Sequence, residues 1–485
     1  MSDRGISAAG AYLPKLRMCR KAIADAHAWA MPPLRGLARG TRSFCNWDED
    51  SITMAVEAVR ACLTGSSPES VTSLGFASTT APFADLQNAS IVARAAGLEQ
   101  TTRTFDNAGS TRAGVSALIT ALRCPGDGDD LVVAADQRKA RPGSIQEMHY
   151  GAGAAAIRIS QGSDVIARYV GSQSGNNQMI DHYRVTGADY DYYWEERWIR
   201  DEGYMKVVPA TVTALLERCG IDPSNIEHFI LPTYMPRVAD TVAKRLGITA
   251  DAVVDNLAGG VGDTGSPHAL LMLISALEQA QPGDLLLVVG FGAGCDAILL
   301  EATEAITAYQ QKRDKSAFAS SLPPVVHYNK LLAFHDNLDL DWGIRSETDN
   351  RVALSQLYRA QDQVTGFQAG VCSVCSAVQF PILAACVKCG ATEPMGRQSL
   401  ADQSASVATF ASDALQFYPS PPMYWGLVQF DNGARLLMEM VEVDPENFDI
   451  GTALRMVYRI KQKDNQRGLH RYFWKATPVE RSISV

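Results

Sequence analysis

Two stretches about 155 to 160 residues apart close a helix and open a strand in the same way, which constrains the fold more than any single motif. Ser116–Asp136 runs SALITALRCPGDGDDLVVAAD and Ser275–Gly290 runs SALEQAQPGDLLLVVG. In each, a helical apolar pattern ends at a Pro-Gly-Asp turn and an uninterrupted apolar strand follows. A loop of small residues precedes each helix, NAGSTRAG at 107–114 and GGVGDTGS at 259–266. The pattern predicts two related α/β halves, although helix-turn-strand units are common enough in parallel sheets for a chance match to stay open at this point. Small residues at a helix start admit close backbone approach, and the free N–H groups there favour an anion; tight helix packing is the plainer reading of the same residues.

A chain of 485 residues exceeds one core and suggests two or three domains. Its 53 acidic residues outnumber 44 basic ones, so neither nucleic acid nor an anionic membrane surface is the expected partner. The N-terminus lacks an apolar segment behind its charges, and the longest apolar run, Leu285 to Cys295, is about half of a bilayer span. A cytoplasmic protein with reduced thiols is expected, because six of the ten cysteines are scattered singly.

The other four form two knuckles, Cys372-x2-Cys375 and Cys386-x2-Cys389, a spacing that matches four-thiolate zinc with no open coordination position. The expected zinc is therefore structural. The stretch resembles a rubredoxin-like zinc ribbon of the kind that precedes an OB-fold in acyl-CoA-associated proteins. The later runs SVATFA, YWGLVQF and ARLLMEMVEV suit such a small β-barrel. Basic residues at 461–467 and Arg471 form too slight a groove for single-stranded nucleic acid.

From Gly5 to Asn337 the order and spacing of GAYLPKLRM, DEDSITMAVEAVRACL, SIVARAAGL, YGAGAAAIRIS, VADTVAKRLG, the Gly-Asp-Thr-Gly loop at 262–265 and GFGAGCDAILLE resemble the hydroxymethylglutaryl-CoA synthase branch of the thiolase superfamily. The resemblance implies an α/β thiolase-like five-layer sandwich of two related halves, followed by the C-terminal zinc ribbon and OB-fold β-barrel. It also implies a coenzyme A thioester substrate, a homodimer and possible need of an accessory protein. The expected boundaries are 1–165 and 166–345 for the two halves, 346–370 for a helical linker, 371–390 for the zinc ribbon and 391–485 for the OB-fold domain.

In the family that this chain resembles, a cysteine opens the first-half helix. Thr111 stands at that position with Ser110 beside it, and no cysteine lies within ten residues. The family's histidine falls near Pro232, leaving Tyr234 as the nearest ionisable side chain; its glutamate matches Thr79 and its asparagine matches Asp263. A cysteine thiol, of ordinary pKa about 8.5, gains thiolate character at a helix start, whereas a threonine hydroxyl gains little from the same field. Aldol cleavage or formation needs only a base, a proton donor and an oxyanion site. Asp263 and His268 are the candidates for base or orienting group, Tyr234 for proton donor, and Ser110 and Thr111 for thioester contacts. Each also has a purely structural reading. Arg112, Lys139 and Arg141 are candidates for coenzyme A phosphates. The aromatic and charged segment from Asp181 to Tyr204 is expected to be a solvated face, pocket lining or dimer contact, without a catalytic role.

Three activities follow. The first is an acyl-CoA lyase cleaving a β-hydroxy or β-keto substrate without an acyl-enzyme. The alternatives are a synthase-like acyltransferase or condensing enzyme, and a non-catalytic CoA-binding scaffold.

Overall fold

The computed structural model describes residues 4–124, 126, 128–312, 318, 322–341 and 352–479. Pro125 and Asp127 of the first Pro-Gly-Asp turn, and residues 346–351 of the expected linker, lie outside them. The chain divides into two compact units. The first comprises Met1–Asn46, Asp50–Ala93 and Leu98–Leu338, and the second Trp47–Glu49, Arg94–Gly97 and Asp339–Val485.

The first unit repeats one topology twice. Strand β1 (Arg4–Tyr12) is followed by α1 (Ser51–Leu63), β2 (Val71–Ala77), β3 (Arg103–Asn107), α2 (Ala113–Arg123), β4 (Asp129–Gln137) and β5 (Ala152–Gln161). Then β6 (Ala167–Asn176), α3 (Val208–Cys219), β7 (His228–Ile230), α4 (Val238–Leu246), α5 (His268–Leu277), β8 (Leu285–Phe291) and β9 (Gly294–Ala302) follow. The sheet order is β7-β8-β9-β6-β1-β5-β4-β2-β3. In the first half β2 runs parallel to β3 and β4, and β5 runs antiparallel to β4 and β1. In the second half β7 runs parallel to β8, and β9 runs antiparallel to β8 and β6. A parallel bridge from Phe229 to Val253 stands where β3 stands in the first half. The halves meet where β1 and β6 pair, Gly5 opposite Arg168 and Ile6 opposite Ala167.

The apolar patterns explain the layering. Helix α5, HALLMLISAL, is apolar around its whole circumference and every residue but Ser275 is buried, as a helix enclosed on all sides must be. It packs against α2 and against strands of both halves. Strand β8 is apolar on both faces. Leu286 and Val288 join the core that contains α2 and α5, while Leu287 and Val289 join a second core with Val212 and Leu215 of α3. Strand β9 divides likewise, with Ile298 and Leu300 on one side and Ala297 and Leu299 on the other. A strand with period-2 alternation between two apolar cores is a strand between two layers. The second Pro-Gly-Asp turn is closed by the Asp284 N–H donating to the Gln281 carbonyl at 3.1 Å.

In the second unit β10 (Gln368–Val371) pairs antiparallel with both β11 (Val378–Gln379) and β12 (Gly396–Ser399). A closed five-stranded barrel follows, from β13 (Ala405–Asp413), β14 (Met423–Phe430), β15 (Arg435–Met440), β16 (Ala453–Asp464) and β17 (Leu469–Pro478), in the order β13-β14-β15-β17-β16. Strands β13 and β14 cover the runs SVATFA and YWGLVQF, and β15 covers Arg435–Met440 of ARLLMEMVEV. Two cations are buried with carboxylate partners, Lys475 Nζ 2.6 Å from Glu439 and Arg459 2.6 Å from Glu442. No helix among the described residues is long and apolar enough to cross a membrane.

Candidate functional site

The first unit holds a cavity of about 50 Å³, which admits a few waters or a small acyl group. Its wall includes Thr111, Arg138, Asp181, His182, Tyr193, Tyr204, Tyr234 and Asp263. No cysteine is among its described lining residues.

Strand β4 ends one residue before Arg138, whose side chain is only 1% exposed. Its guanidinium stands 3.1 Å from Asp263 and 2.9 Å from Asp191, donates to the Tyr150 hydroxyl at 2.7 Å, and covers the Tyr150 ring at 3.8 Å. The Tyr150 hydroxyl in turn donates to Asp191 at 2.6 Å. Asp263 is fixed through its backbone: its N–H donates to the His149 carbonyl and its carbonyl accepts from Gly151, both at 2.7 Å. Burial pushes the carboxyls of Asp263 and Asp191 up, but Arg138 together with the neighbouring hydrogen bonds and cations, the Gly265 N–H for Asp263 and the Tyr150 hydroxyl and Arg184 for Asp191, holds both below the usual carboxylate range. Asp263 is thus a charged, oriented group and a weak base. Gly265, at φ +75°, lets this loop close on the strand, because a Cβ there would lie 2.7 Å from Asp136 and 2.9 Å from Arg138.

The first-half loop is used differently. Ser110 donates to the Gly292 carbonyl at 2.8 Å, and Thr111 donates to the Phe291 carbonyl at 3.2 Å. Gly292, at φ +153°, makes the approach possible, since a Cβ there would lie 2.6 Å from the Ser110 hydroxyl. Thr111 still borders the cavity, whereas Ser110 is not part of its wall. Thr79 is bound to Asp136, which accepts its N–H at 2.7 Å and its hydroxyl at 3.1 Å.

Tyr234 lines the cavity, and its hydroxyl is buried without a hydrogen-bond partner. Burial and the neighbouring Tyr193 push its pKa well above the usual phenol value, so it stays a proton carrier. The expectation for His268 is corrected. It is 3% exposed and absent from the cavity wall, its Nδ1 lies 3.2 Å from the Thr264 N–H, and its Nε2 lies 2.9 Å from the Asn256 carbonyl. With Nε2–H donating and Nδ1 accepting, the imidazole is fully spent on the fold. The three basic candidates also have local partners. Arg112 pairs with Asp296 at 3.0 Å, Lys139 with Asp336 at 3.3 Å, and Arg141 lies 5.5 Å from the centre of the Tyr190 ring.

Sequence reasoning missed Arg138, and within the segment from Asp181 to Tyr204 it did not single out Asp181, His182, Tyr193 and Tyr204 as the residues on the cavity wall. Residues 182–183 and 192–193 pair as a short hairpin, and Ile199–Val207 winds as a π-helix before α3. Asp191 pins the hairpin to Arg138, Tyr150 and Arg184, the last at 2.9 Å. The crowding of aromatic and charged residues there was visible in the sequence, but not which of them turn inward.

In the second unit, the Cys372 and Cys389 sulfurs lie 3.7 Å apart and those of Cys375 and Cys386 3.6 Å apart, with all four within 4.8 Å of one another. Thiolates about 2.3 Å from a common tetrahedral centre stand roughly 3.8 Å apart, so the set fits a four-thiolate metal.

Residues 216–301 match the family described as 3-oxoacyl-[acyl-carrier-protein (ACP)] synthase III C terminal. Hydroxymethylglutaryl-CoA synthase of Aeropyrum pernix is 31% identical over 313 residues, 63% of this chain and 86% of that protein. The Methanocella arvoryzae enzyme of the same name is 31% identical over 64% of this chain and 92% of its own length. Among solved structures, a hydroxymethylglutaryl-CoA synthase complexed with CoA superposes with a TM-score of 0.57 at 16% identity, covering 72% of this chain and 92% of that one. 3-Oxoacyl-(acyl carrier protein) synthase III of Pseudomonas aeruginosa superposes with 0.55 at 21%, covering 62% and 98%. The structural likenesses carry the thiolase-like fold and the sequence relatives carry the family: the chain belongs to the hydroxymethylglutaryl-CoA synthase family of the thiolase superfamily.

Proposed function

We propose that the protein acts on an acyl-CoA thioester and breaks the carbon–carbon bond between its α and β carbons without an acyl-enzyme, as an aldolase on a β-hydroxyacyl-CoA. One observation carries this reading: a cavity that joins an unpartnered, protonated Tyr234 hydroxyl to the charged Asp263–Arg138 pair has no cysteine on its described wall. Removal of the β-hydroxyl proton lets the bond break, leaving a carbonyl compound and a thioester enolate. Tyr234 donates toward the enolate, and Asp263 with Arg138 sets the field around it. The Ser110 and Thr111 hydroxyls, turned toward backbone carbonyls, serve to hold the loop.

A second reading is condensation in the manner of the synthases, supported by the name that the relatives bear. It shares the aldol step and adds an ester at Thr111 or Ser110. Incubation with a panel of β-hydroxyacyl- and β-ketoacyl-CoA thioesters, followed by mass spectrometry of protein and CoA species, separates the two. A chain-shortened thioester with a free carbonyl compound and an unmodified protein supports cleavage. A mass increase mapped to Thr111 or Ser110 replaces it with the acyl-enzyme, and binding without turnover turns attention to a scaffold. In the second unit, the proposal is structural zinc on Cys372, Cys375, Cys386 and Cys389 beside an OB-type barrel. The Cys375→Ala variant should lose the metal, about one zinc per chain in the intact protein, and should lower the unit's melting temperature. Retention of both would remove the metal from the account.

A further inference from the structure

The cavity wall holds one imidazole, His182, in an arrangement that the roles above leave unused. Its Nδ1 lies 2.8 Å from the Asp181 carboxylate, and both side chains are 14% exposed. A carboxylate at that nitrogen accepts a hydrogen bond from Nδ1–H, which keeps the proton on Nδ1 and leaves the lone pair on Nε2, the form a general base requires. The ring is stacked on Tyr193, centroids 5.4 Å apart with 22° between planes, so its orientation is set on two sides. The supporting backbone is held as well: the Trp194 N–H donates to the Asp181 carbonyl at 3.0 Å, and Asp191 ties the far strand of the hairpin to Arg138. A surface histidine needs none of this support.

We propose that His182 is the general base of this cavity and that Asp181 is its positioning residue, an inference that rests on the proposed acyl-CoA reading. Nε2 takes the proton of the substrate's β-hydroxyl, and the oxygen's electron pair forms the new carbonyl. The Cα–Cβ bond breaks, with its electrons passing into the thioester enolate. The imidazolium then returns the proton to Cα. Substrate becomes a shorter thioester plus an aldehyde or ketone, with no oxidant or co-reactant. The same groups run the reaction backwards as an aldol addition, so the assignment is independent of direction. The charged and titratable groups facing His182 are Asp181 and Tyr193 of its own segment, Asp191 beyond the hairpin turn, Asp263 of the second-half loop, and Arg138 after β4.

The test compares the full-length protein with H182Q and D181N on the acyl-CoA panel, with kcat and KM followed across pH. The expected result is a fall in kcat of about 10² to 10⁴ for H182Q with little change in KM. D181N should lose kcat by a smaller factor. In ¹⁵N NMR, wild-type His182 should carry its proton on Nδ1, and D181N should shift it to Nε2. Turnover by H182Q within about threefold of wild type would overturn the base assignment and leave the acyl-CoA reading intact. If wild type turns over no member of the panel, the acyl-CoA reading fails, and the tautomer then decides separately. A proton on Nδ1 upholds the oriented base, and a proton on Nε2 overturns it.

Discussion

The connection between the first strand and first long helix differs sharply between the two halves. In the first half it occupies residues 13–50, and Arg20 and Arg42 within it are used on backbone. Arg20 Nε donates to the Met148 carbonyl at 2.7 Å and its Nη2 to the Ala258 carbonyl at 2.6 Å, while Arg42 reaches the Glu147 carbonyl at 2.8 Å. In the second half it occupies residues 177–207 and uses two aspartates on other side chains at the cavity, with Asp181 on His182 and Asp191 on Arg138, Arg184 and Tyr150. One scaffold thus carries two connections of opposite use. Charge matched to main-chain carbonyls fastens segments together, and charge matched to charge beside a cavity creates reactive groups.

That contrast breaks most readily at Arg138. Replacing it with Met leaves Asp263 without its cation and Asp191 with Arg184 alone, and a loss of about 3–5 kcal/mol in denaturant unfolding is expected, together with loss of activity. Arg20→Met, on the first connection, should cost about 1–3 kcal/mol for its abandoned carbonyls and leave kcat in place. Equal effects on kcat would erase the distinction.

His149, beside Tyr234 with ring centroids 5.2 Å apart, gives the next effect. Burial, then the nearby Arg20 guanidinium, lowers its pKa from the usual 6.5 to about 4. The fold therefore favours the neutral ring. Its contribution is complete above pH 6.5 and is lost as pH falls toward 4, where the unfolded chain binds the extra proton. The full difference is about 3 kcal/mol at 1.36 kcal/mol per unit. His149→Gln should flatten that part of the stability–pH curve, and an unchanged slope would reject the assignment.

Tyr234→Phe deletes a buried hydroxyl with no partner, so stability should hold within about 0.5 kcal/mol while kcat falls roughly 10- to 100-fold. A loss of stability without loss of rate would make Tyr234 a packing residue. Thr111→Val is the mildest: about 1 kcal/mol for the bond to Phe291, with the rate within a few-fold of wild type. A thousandfold loss of rate would instead restore the acyl-enzyme.

The repeated scaffold was legible because its signals are local and periodic. The all-round apolar character of α5, the turn at Pro282 to Asp284 and the cysteine spacing each follow from neighbours in sequence. The site was less legible for a matching reason. Asp263 and Tyr234 were named by position in a resembling pattern and border the cavity, but only three dimensions reveal that Thr264 and Asn256 consume both nitrogens of His268, which was named beside them. Asp181 and His182 sit in a segment with little periodicity, where Tyr192 faces solvent and Tyr193 faces the cavity. Nothing in the one-dimensional pattern separates those two neighbours.

The central core also bears on how such a chain could arise. Residues of α2, β4 and β5 share one apolar cluster with residues of α5, β8 and β9. A half released by cutting near residue 165 would therefore present a broad oily face to water, and its ready partner would be another half of the same shape. The ancestor of a repeat built this way is most simply a small protein that met its own twin, with the later fusion of two genes turning an encounter between molecules into a property of one.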